Sequence, residues 1–124
     1  MPLYTAITEE GFVSDGKKAK IAKEITRIHT TIMNVPAAFV RVVFLSYPKG
    51  SGYTAGVEAP TAALNSVIRS GHTDAEKAET LKQLWSMFQD LTGIPTDQLA
   101  MSIQEIPSSN AMEMGQIIQA VGDK

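Results

Sequence analysis

The sequence predicts an α+β fold, an α/β two-layer arrangement in which tandem β-α-β units form a four-stranded sheet with two helices. Two observations lead to this prediction. Each of two amphipathic helical segments lies between two strand-like segments, and the two halves of the chain match at a constant offset of 59 residues. A strand–helix–strand unit normally gives parallel strands joined by a right-handed crossover. We therefore expect a single domain over residues 1–124, made of two repeats of about 1–59 and 60–124.

The repeat is clearest in two 17-residue segments, IMNVPAAFVRVVFLSYP at 32–48 and LTGIPTDQLAMSIQEIP at 91–107. Both prolines of the first segment fall opposite prolines of the second, Pro36 with Pro95 and Pro48 with Pro107. The same offset aligns Ser14 with Thr73, and both residue types are favoured as helix N-caps. Caps, apolar stripes and prolines therefore agree on one duplication.

The first repeat begins with the strand candidate PLYTAIT (2–8), and a helix is predicted over about 15–33. Isoleucines recur on one face of that helix, as expected for an amphipathic helix: Ile21, Ile25, Ile28 and Ile32. The second strand candidate, AAFVRVVFL (37–45), is apolar on both faces apart from Arg41. Because two helices can cover only one face of the sheet, the other face requires further cover. We therefore expect an oligomer.

The second repeat begins with the strand candidate TAALNSVIR (61–69). The following GHTDAEK pairs Thr73 with Glu76 in a capping box, which predicts the start of the second helix. Apolar residues then form one helical stripe: Leu81, Leu84, Trp85, Phe88 and Leu91. Gly93 is expected to end this helix, and QLAMSIQEI (98–106) is the last strand candidate. PKGSGYTAG (48–56) matches neither phosphate-binding motif and is interpreted as a flexible loop.

The composition sets the class of protein. With 124 residues, 44% of them hydrophobic and 19% charged, the chain is long and apolar enough to bury a core. A net charge of −2 argues against nucleic acid or an anionic membrane as the main partner. The absence of cysteine excludes disulfides and thiolate metal sites. Since we find neither a signal-peptide pattern nor a run of roughly 20 apolar residues, a cytoplasmic protein is expected.

The first ten residues, MPLYTAITEE, place a proline directly after the initiator methionine. If Met1 is removed, Pro2 becomes a secondary amine whose pKa starts near the α-amino range of about 7.7–8.0. Burial disfavours the charged form and lowers that pKa, which would give a general base or nucleophile working near neutral pH. Many chains begin Met-Pro without catalytic meaning, so this observation needs support from the rest of the chain.

Three further segments carry residues suited to a small acidic substrate. EITRIHTTIM places His29 at the edge of the apolar helix stripe, where it is either a core residue or a hydrogen-bond donor to a substrate oxygen. SVIRSGHTDAEK places Arg69 at a strand end, as a surface charge or as a bidentate anchor for a carboxylate. SSNAMEMG contains Glu113, either a solvated residue or a carboxylate that activates water.

A duplicated β-α-β unit that begins Met-Pro and contains these segments resembles the tautomerase superfamily, over nearly the whole chain. Within it the sequence looks most similar to the cis-3-chloroacrylic acid dehalogenase group. That group uses an amino-terminal proline and assembles as a trimer of such double units. The resemblance therefore implies that Pro2, His29, Arg69 and Glu113 are catalytic, and that the chain forms a homotrimer.

Two positions depart from the dehalogenases of that group. A second arginine is replaced by His72 and a last-strand tyrosine by Ser102, while Arg41 is a further candidate for binding substrate or for a subunit contact. A cation at a helix N-terminus is disfavoured by the helix dipole, so we expect His72 to be neutral and exposed. Ser102 lacks the reach and the acidity of a phenol. Arg41, His72 and Ser102 are therefore the candidate substrate-binding residues.

The leading functional prediction is keto–enol tautomerisation of a small 2-oxo acid, with Pro2 moving the proton and Arg69 holding the carboxylate. The second hypothesis is hydration or hydrolytic dehalogenation of an unsaturated acid resembling a 3-haloacrylate, in which Glu113 activates water. The third is a non-catalytic ligand-binding module of ferredoxin-like topology. His29 and His72 have no metal-ligand spacing, and we expect neither a metal nor a cofactor.

Overall fold

The computed structural model describes residues 1–118 and contains two long helices, one four-stranded sheet and two small hairpins. In chain order the elements are β1 (Leu3–Glu9), α1 (Asp15–Met33), β2 (Arg41–Tyr47), β3 (Tyr53–Thr54), β4 (Val57–Glu58), β5 (Ala62–Arg69), α2 (Asp74–Thr92), β6 (Leu99–Ile106), β7 (Met112–Glu113) and β8 (Gln116–Ile117). Short 3₁₀ turns precede β2, β6 and β7, at Ala37–Phe39, Thr96–Gln98 and Ser108–Asn110.

The large sheet has the strand order β2-β1-β5-β6. Strand β1 is parallel to β2 and β5 is parallel to β6, as expected for two β-α-β units, and the two units join through the antiparallel pair β1–β5. Both helices pack against one face of this sheet and against each other. The predicted α+β fold is therefore confirmed.

Both helices begin and end at the residues that the sequence indicates. The Ser14 side chain accepts from the Lys17 backbone N–H, and Thr73 forms the complete capping box with Glu76. Gly93 takes the left-handed conformation that ends α2, with φ of 71°. Asn34 ends α1 in the same way, with φ of 55°.

The hairpins β3–β4 and β7–β8 extend the duplication beyond the elements that the sequence predicts. Each strand of the first hairpin lies 59 positions before its counterpart in the second. Their turns also match, because Ala55–Gly56 and Met114–Gly115 all have positive φ. The segment interpreted as a flexible loop is thus partly a hairpin.

The core lies between the helices and the inner face of the sheet. Its fully buried large side chains come from both repeats: Tyr4, Ile21, Ile25, Ile28, Leu64, Leu84 and Phe88. On strand β2, Val42 and Phe44 pack against this core, whereas Val43 and Leu45 point to the opposite face and are 43% and 51% exposed. We call that opposite face the open face. Strand β2 begins only at Arg41, later than predicted, because Pro36 starts a 3₁₀ turn in which Phe39 N–H donates to the Pro36 carbonyl.

Among residues 1–118, no helix combines the length and the apolar character needed to cross a membrane.

Candidate active site

The pairing of β1 with β5 brings the start of the chain to the end of the third long strand. Leu3 lies opposite Val67, and continuing the same antiparallel register places Met1 opposite Arg69. The Pro2 carbonyl accepts a hydrogen bond of 3.1 Å from the Arg41 backbone N–H, which fixes the chain start against β2. The Pro2 ring is fully buried. The position of Pro2 is therefore set by the sheet.

A cavity of about 530 Å³ opens at this end of the sheet. Its charged groups are the amino terminus of Met1, the Arg69 guanidinium and the Glu113 carboxylate. The Met1 ammonium donates a hydrogen bond to the Glu113 carboxylate and forms an ion pair with it. The hairpin β7–β8 brings Glu113 to this place, and its side chain is only 10% exposed. The structure thus unites three of the predicted regions in one cavity.

His29 lies in the core beside this cavity and does not line it. Its ring is 1% exposed, and Nδ1 lies 2.8 Å from the Tyr4 hydroxyl. Burial is the main cause that lowers the pKa of His29 to about 4, and His72 and the nearby N-terminal ammonium lower it further. Burial also raises the pKa of the Tyr4 phenol. At neutral pH the phenol is therefore protonated and the imidazole uncharged.

This pair shares one hydrogen between two neutral groups. Either the phenol donates to Nδ1, or Nδ1–H donates to the phenol oxygen, and the position of the other ring hydrogen follows from that choice. Tyr4 was missed by sequence reasoning, although one signal existed. Pro2 directly precedes β1 and lies two residues before Tyr4, so the two-residue period of the strand places both on the inward face, where both are buried.

His72 is buried, with 8% exposure, so the expectation that it is exposed is wrong. Its Nδ1 lies 3.9 Å from the Glu76 carboxylate, because the capping box holds Glu76 over the helix start. Burial is the largest cause that lowers the pKa of His72, and the Arg69 charge also lowers it, while Glu76 opposes both. These shifts favour the neutral form that the helix-dipole argument predicts.

The other two predicted binding residues lie outside the cavity of their own chain. Arg41 is exposed at the start of β2, paired in register with Leu3. The Ser102 hydroxyl donates a 2.8 Å hydrogen bond to the Asn65 side-chain oxygen on the neighbouring strand. Within residues 1–118 no cluster of three or more His, Cys, Asp or Glu side chains is arranged to hold a metal ion.

A double β-α-β unit with the chain start in a charged cavity defines the class of protein, a member of the tautomerase superfamily. The chain belongs to the Tautomerase_3 family, described as "Putative oxalocrotonate tautomerase enzyme", whose model matches residues 1–121. The resemblance stated from the sequence is therefore confirmed. No curated protein sequence matches the chain.

Solved structures similar to this chain agree with the assignment. Native Ps01740 superposes with a TM-score of 0.88 at 32% identity, covering 90% of this chain and 99% of that one. N1, a member of the cis-3-chloroacrylic acid dehalogenase family, gives a TM-score of 0.91 at 29% identity, covering 97% and 85%. A fused 4-OT that forms a symmetric trimer shares the fold, with a TM-score of 0.85 at 20% identity over 94% of each chain.

Proposed function

We propose that the chain, once Met1 is removed, is an enzyme that interconverts the enol and keto forms of a small 2-oxo acid. The observation that carries this proposal is the shared cavity of the chain start, Arg69 and Glu113 in a chain of the tautomerase family. A terminal amine and an anchor for a carboxylate are the groups that proton transfer on an acidic substrate requires.

Removal of Met1 would convert the Pro2 nitrogen from an amide into a secondary amine at the edge of the cavity. The buried ring and the hydrogen bond from Arg41 would hold that nitrogen in place, which favours proton transfer along one direction. Burial disfavours the protonated amine and lowers its pKa. Pro2 would then act as a neutral base at physiological pH.

In the proposed reaction, Arg69 binds the substrate carboxylate and the Pro2 nitrogen takes the proton of the enol hydroxyl. The resulting Pro2 cation gives this proton to C3, so that the C2=C3 bond becomes single and the C2–O bond becomes a carbonyl, without net loss or gain of atoms. His29 lies behind the cavity lining, so we assign it no direct contact with the substrate, and the catalytic role that the resemblance implies for it stays a prediction.

Hydration of an unsaturated acid is a second candidate, favoured by Glu113 in the same cavity and by the similarity to N1. There Glu113 would take a proton from water and the hydroxide would add to C3 of a 3-haloacrylate. Pro2 would start this reaction in its protonated form and give that proton to C2. The halohydrin product would then release hydrogen halide. Replacement of the second arginine and the tyrosine by His72 and Ser102 argues for tautomerisation as the main activity.

A homotrimer in the cytoplasm remains part of the proposal. The open face of the sheet supports assembly, because it leaves Val43 and Leu45 exposed. Arg41 and Ser102 point toward this face or its edge. The Arg41 and Ser102 of one chain would therefore contact substrate only in the cavity of a neighbouring subunit.

The deciding experiment pairs intact-mass analysis with enol-to-keto rates for the wild type and Pro2→Ala. We expect wild type without Met1 to be active, and Pro2→Ala, also without Met1, to lose about 10²–10⁴-fold in rate. Full activity of Pro2→Ala would refute the mechanism. If processed wild type turns over neither an enol nor a 3-haloacrylate, the non-catalytic ligand-binding module becomes the better description.

A further inference from the structure

The cavity has an apolar wall that the proposed proton transfer does not use. One side comes from the segment that follows α1, through Val35, Pro36 and Phe39. The other side comes from the β7–β8 hairpin, through Met114 and Ile117. A volume of about 530 Å³ lies within the range of small-molecule sites and exceeds what a three-carbon acid needs.

The charges that one chain places in its own cavity favour a substrate with a single carboxylate. Among the described residues that line it, Arg69 is the only cationic side chain. The Glu113 carboxylate would repel a second carboxylate in the same cavity. His72 cannot supply the missing cation, since burial and Arg69 favour its neutral form.

Because the cavity combines one cationic side chain with an apolar wall, we infer that the enzyme selects 2-oxo monocarboxylic acids with an apolar alkyl or aryl tail, and that it rejects dicarboxylic acids. The inference rests on the proposed function for its reaction and on the cavity lining for its selectivity. Arg69 binds the carboxylate beside C2, and the tail lies between Phe39 and the β7–β8 hairpin. A terminal carboxylate in that position would lose its hydration against apolar side chains without a partner.

A matched pair of substrates tests this selectivity. 2-Oxohexanoate and 2-oxoadipate have six carbons each and differ at the far end, which is a methyl group in one and a carboxylate in the other. Enolisation exchanges the C3 hydrogens, so NMR in D₂O measures kcat/KM for both with the processed full chain. We expect 2-oxohexanoate to be preferred by at least about tenfold, because like charges oppose the diacid.

A charge placed on the apolar wall should reverse the preference. Ile117 lies on β8 with its side chain 57% exposed, so Ile117→Arg can be accommodated, and we expect it to raise kcat/KM for 2-oxoadipate and lower it for 2-oxohexanoate. Val57→Arg is the matched control, because Val57 is similarly exposed, at 68%, on the corresponding hairpin of the first repeat. Val57→Arg adds the same charge away from the cavity lining and should leave the ratio of kcat/KM for the two substrates unchanged.

The outcomes separate the selectivity from the reaction. Equal rates for the two substrates, or faster exchange of 2-oxoadipate, overturn the inference. If neither acid exchanges above the buffer rate, the proposed tautomerisation is refuted, and calorimetric binding of hexanoate and adipate then tests selectivity alone. Tighter binding of hexanoate supports the monocarboxylate preference, and equal or tighter binding of adipate rejects it.

Discussion

At the scale of single residues, the site depends on groups kept uncharged by burial. His29 and Tyr4 hydrogen-bond to each other in the core, and each is nearly inaccessible to solvent. A charged imidazole there would lose its hydration next to the positive N-terminus and His72. The same burial that keeps His29 uncharged therefore makes the folded state sensitive to acid.

The free energy of unfolding should fall as the pH is lowered through the range between the two pKa values of His29. The unfolded residue titrates near 6.5 and the folded one at about 4, so between these values the unfolded chain binds more protons. The loss is up to about 3 kcal/mol from this residue, and His72 contributes with the same sign. Urea unfolding at several pH values between 7 and 4 measures it.

His29→Gln is the control for this prediction, because it keeps a polar side chain that does not titrate. The pH dependence of its unfolding free energy should be shallower than that of the wild type. Parallel curves for the two proteins would mean that other groups cause the acid sensitivity.

Glu113 separates the two candidate reactions. Hydration must activate a water and should lose about 10²–10⁴-fold in rate in Glu113→Gln, whereas tautomerisation should keep most of its rate. Arg69→Ala should weaken both, because both substrates have a carboxylate to anchor. Rates on an enol and on a 3-haloacrylate give the comparison. An equal loss of both activities in Glu113→Gln would assign that carboxylate a role other than activating water.

The sequence could predict residues whose position follows from a strand end or a helix face. Arg69 and Glu113 lie at the cavity as the resemblance implies, and Arg69 ends its strand as the pattern indicates. The burial of His72 could not be predicted, because it depends on how the β5–α2 connection folds against neighbouring elements. Tyr4 looked like an ordinary strand residue, since its partner lies 25 positions away in the sequence.

At the scale of elements, local signals determined what could be predicted. The helix ends were predictable because N-caps, a capping box and Gly93 act within a few residues. The hairpins β3–β4 and β7–β8 were not, because strands of two residues carry no detectable alternation. The position of β3–β4 depends instead on contacts distant in sequence, such as the 2.9 Å hydrogen bond that the Thr54 hydroxyl donates to Gln98.

The segment that leads into the β3–β4 hairpin should tolerate no side chain at Gly52. A Cβ atom there would lie 2.6 Å from the Ala59 carbonyl oxygen and would also collide with the Tyr47 hydroxyl. That hydroxyl donates a 2.7 Å hydrogen bond to the Thr61 carbonyl and is not free to move away. We expect Gly52→Ala to destabilise the fold by about 1–3 kcal/mol, measured by urea unfolding.

Gly16→Ala is the matched control for this substitution. Gly16 lies in the first turn of α1, has no atom within 4 Å of the added methyl group and does not adopt a positive φ. Alanine there should be neutral or stabilising by about 0.5–1 kcal/mol, since it restricts the unfolded chain and favours the helix. Equal unfolding free energies for the two variants would contradict the close approach at Gly52.

At the scale of the whole molecule, the duplication produces two similar ends of the sheet, and the cavity with Arg69 and Glu113 lies at the end where the chain starts. In the second repeat, the position that corresponds to Pro2 is Thr61, a residue in the middle of the chain. Its carbonyl is held by the Tyr47 hydroxyl. A chain-internal residue has no amine, so each chain offers one site of the proposed kind.

The open face of the sheet should be the surface through which chains assemble. Leu3, Val43 and Leu45 are 37%, 43% and 51% exposed there, on adjacent strands with Leu3 opposite Arg41. Large apolar side chains exposed together on one face of a sheet are typical of an interface. We expect sedimentation of the wild type to show a trimer at micromolar concentration, and a monomer would contradict the proposed assembly.

Leu45→Glu tests whether this face forms the interface. A buried carboxylate without a partner is costly, so the variant should dissociate to smaller species while its helices remain folded by circular dichroism. Ser86→Glu is the control, because Ser86 is exposed on α2, away from the open face, and the same charge there should leave the trimer intact. The variant should also lose activity if Arg41 or Ser102 serves the cavity of a neighbouring subunit. A Leu45→Glu protein that sediments as the wild type does would place the interface elsewhere on the molecule.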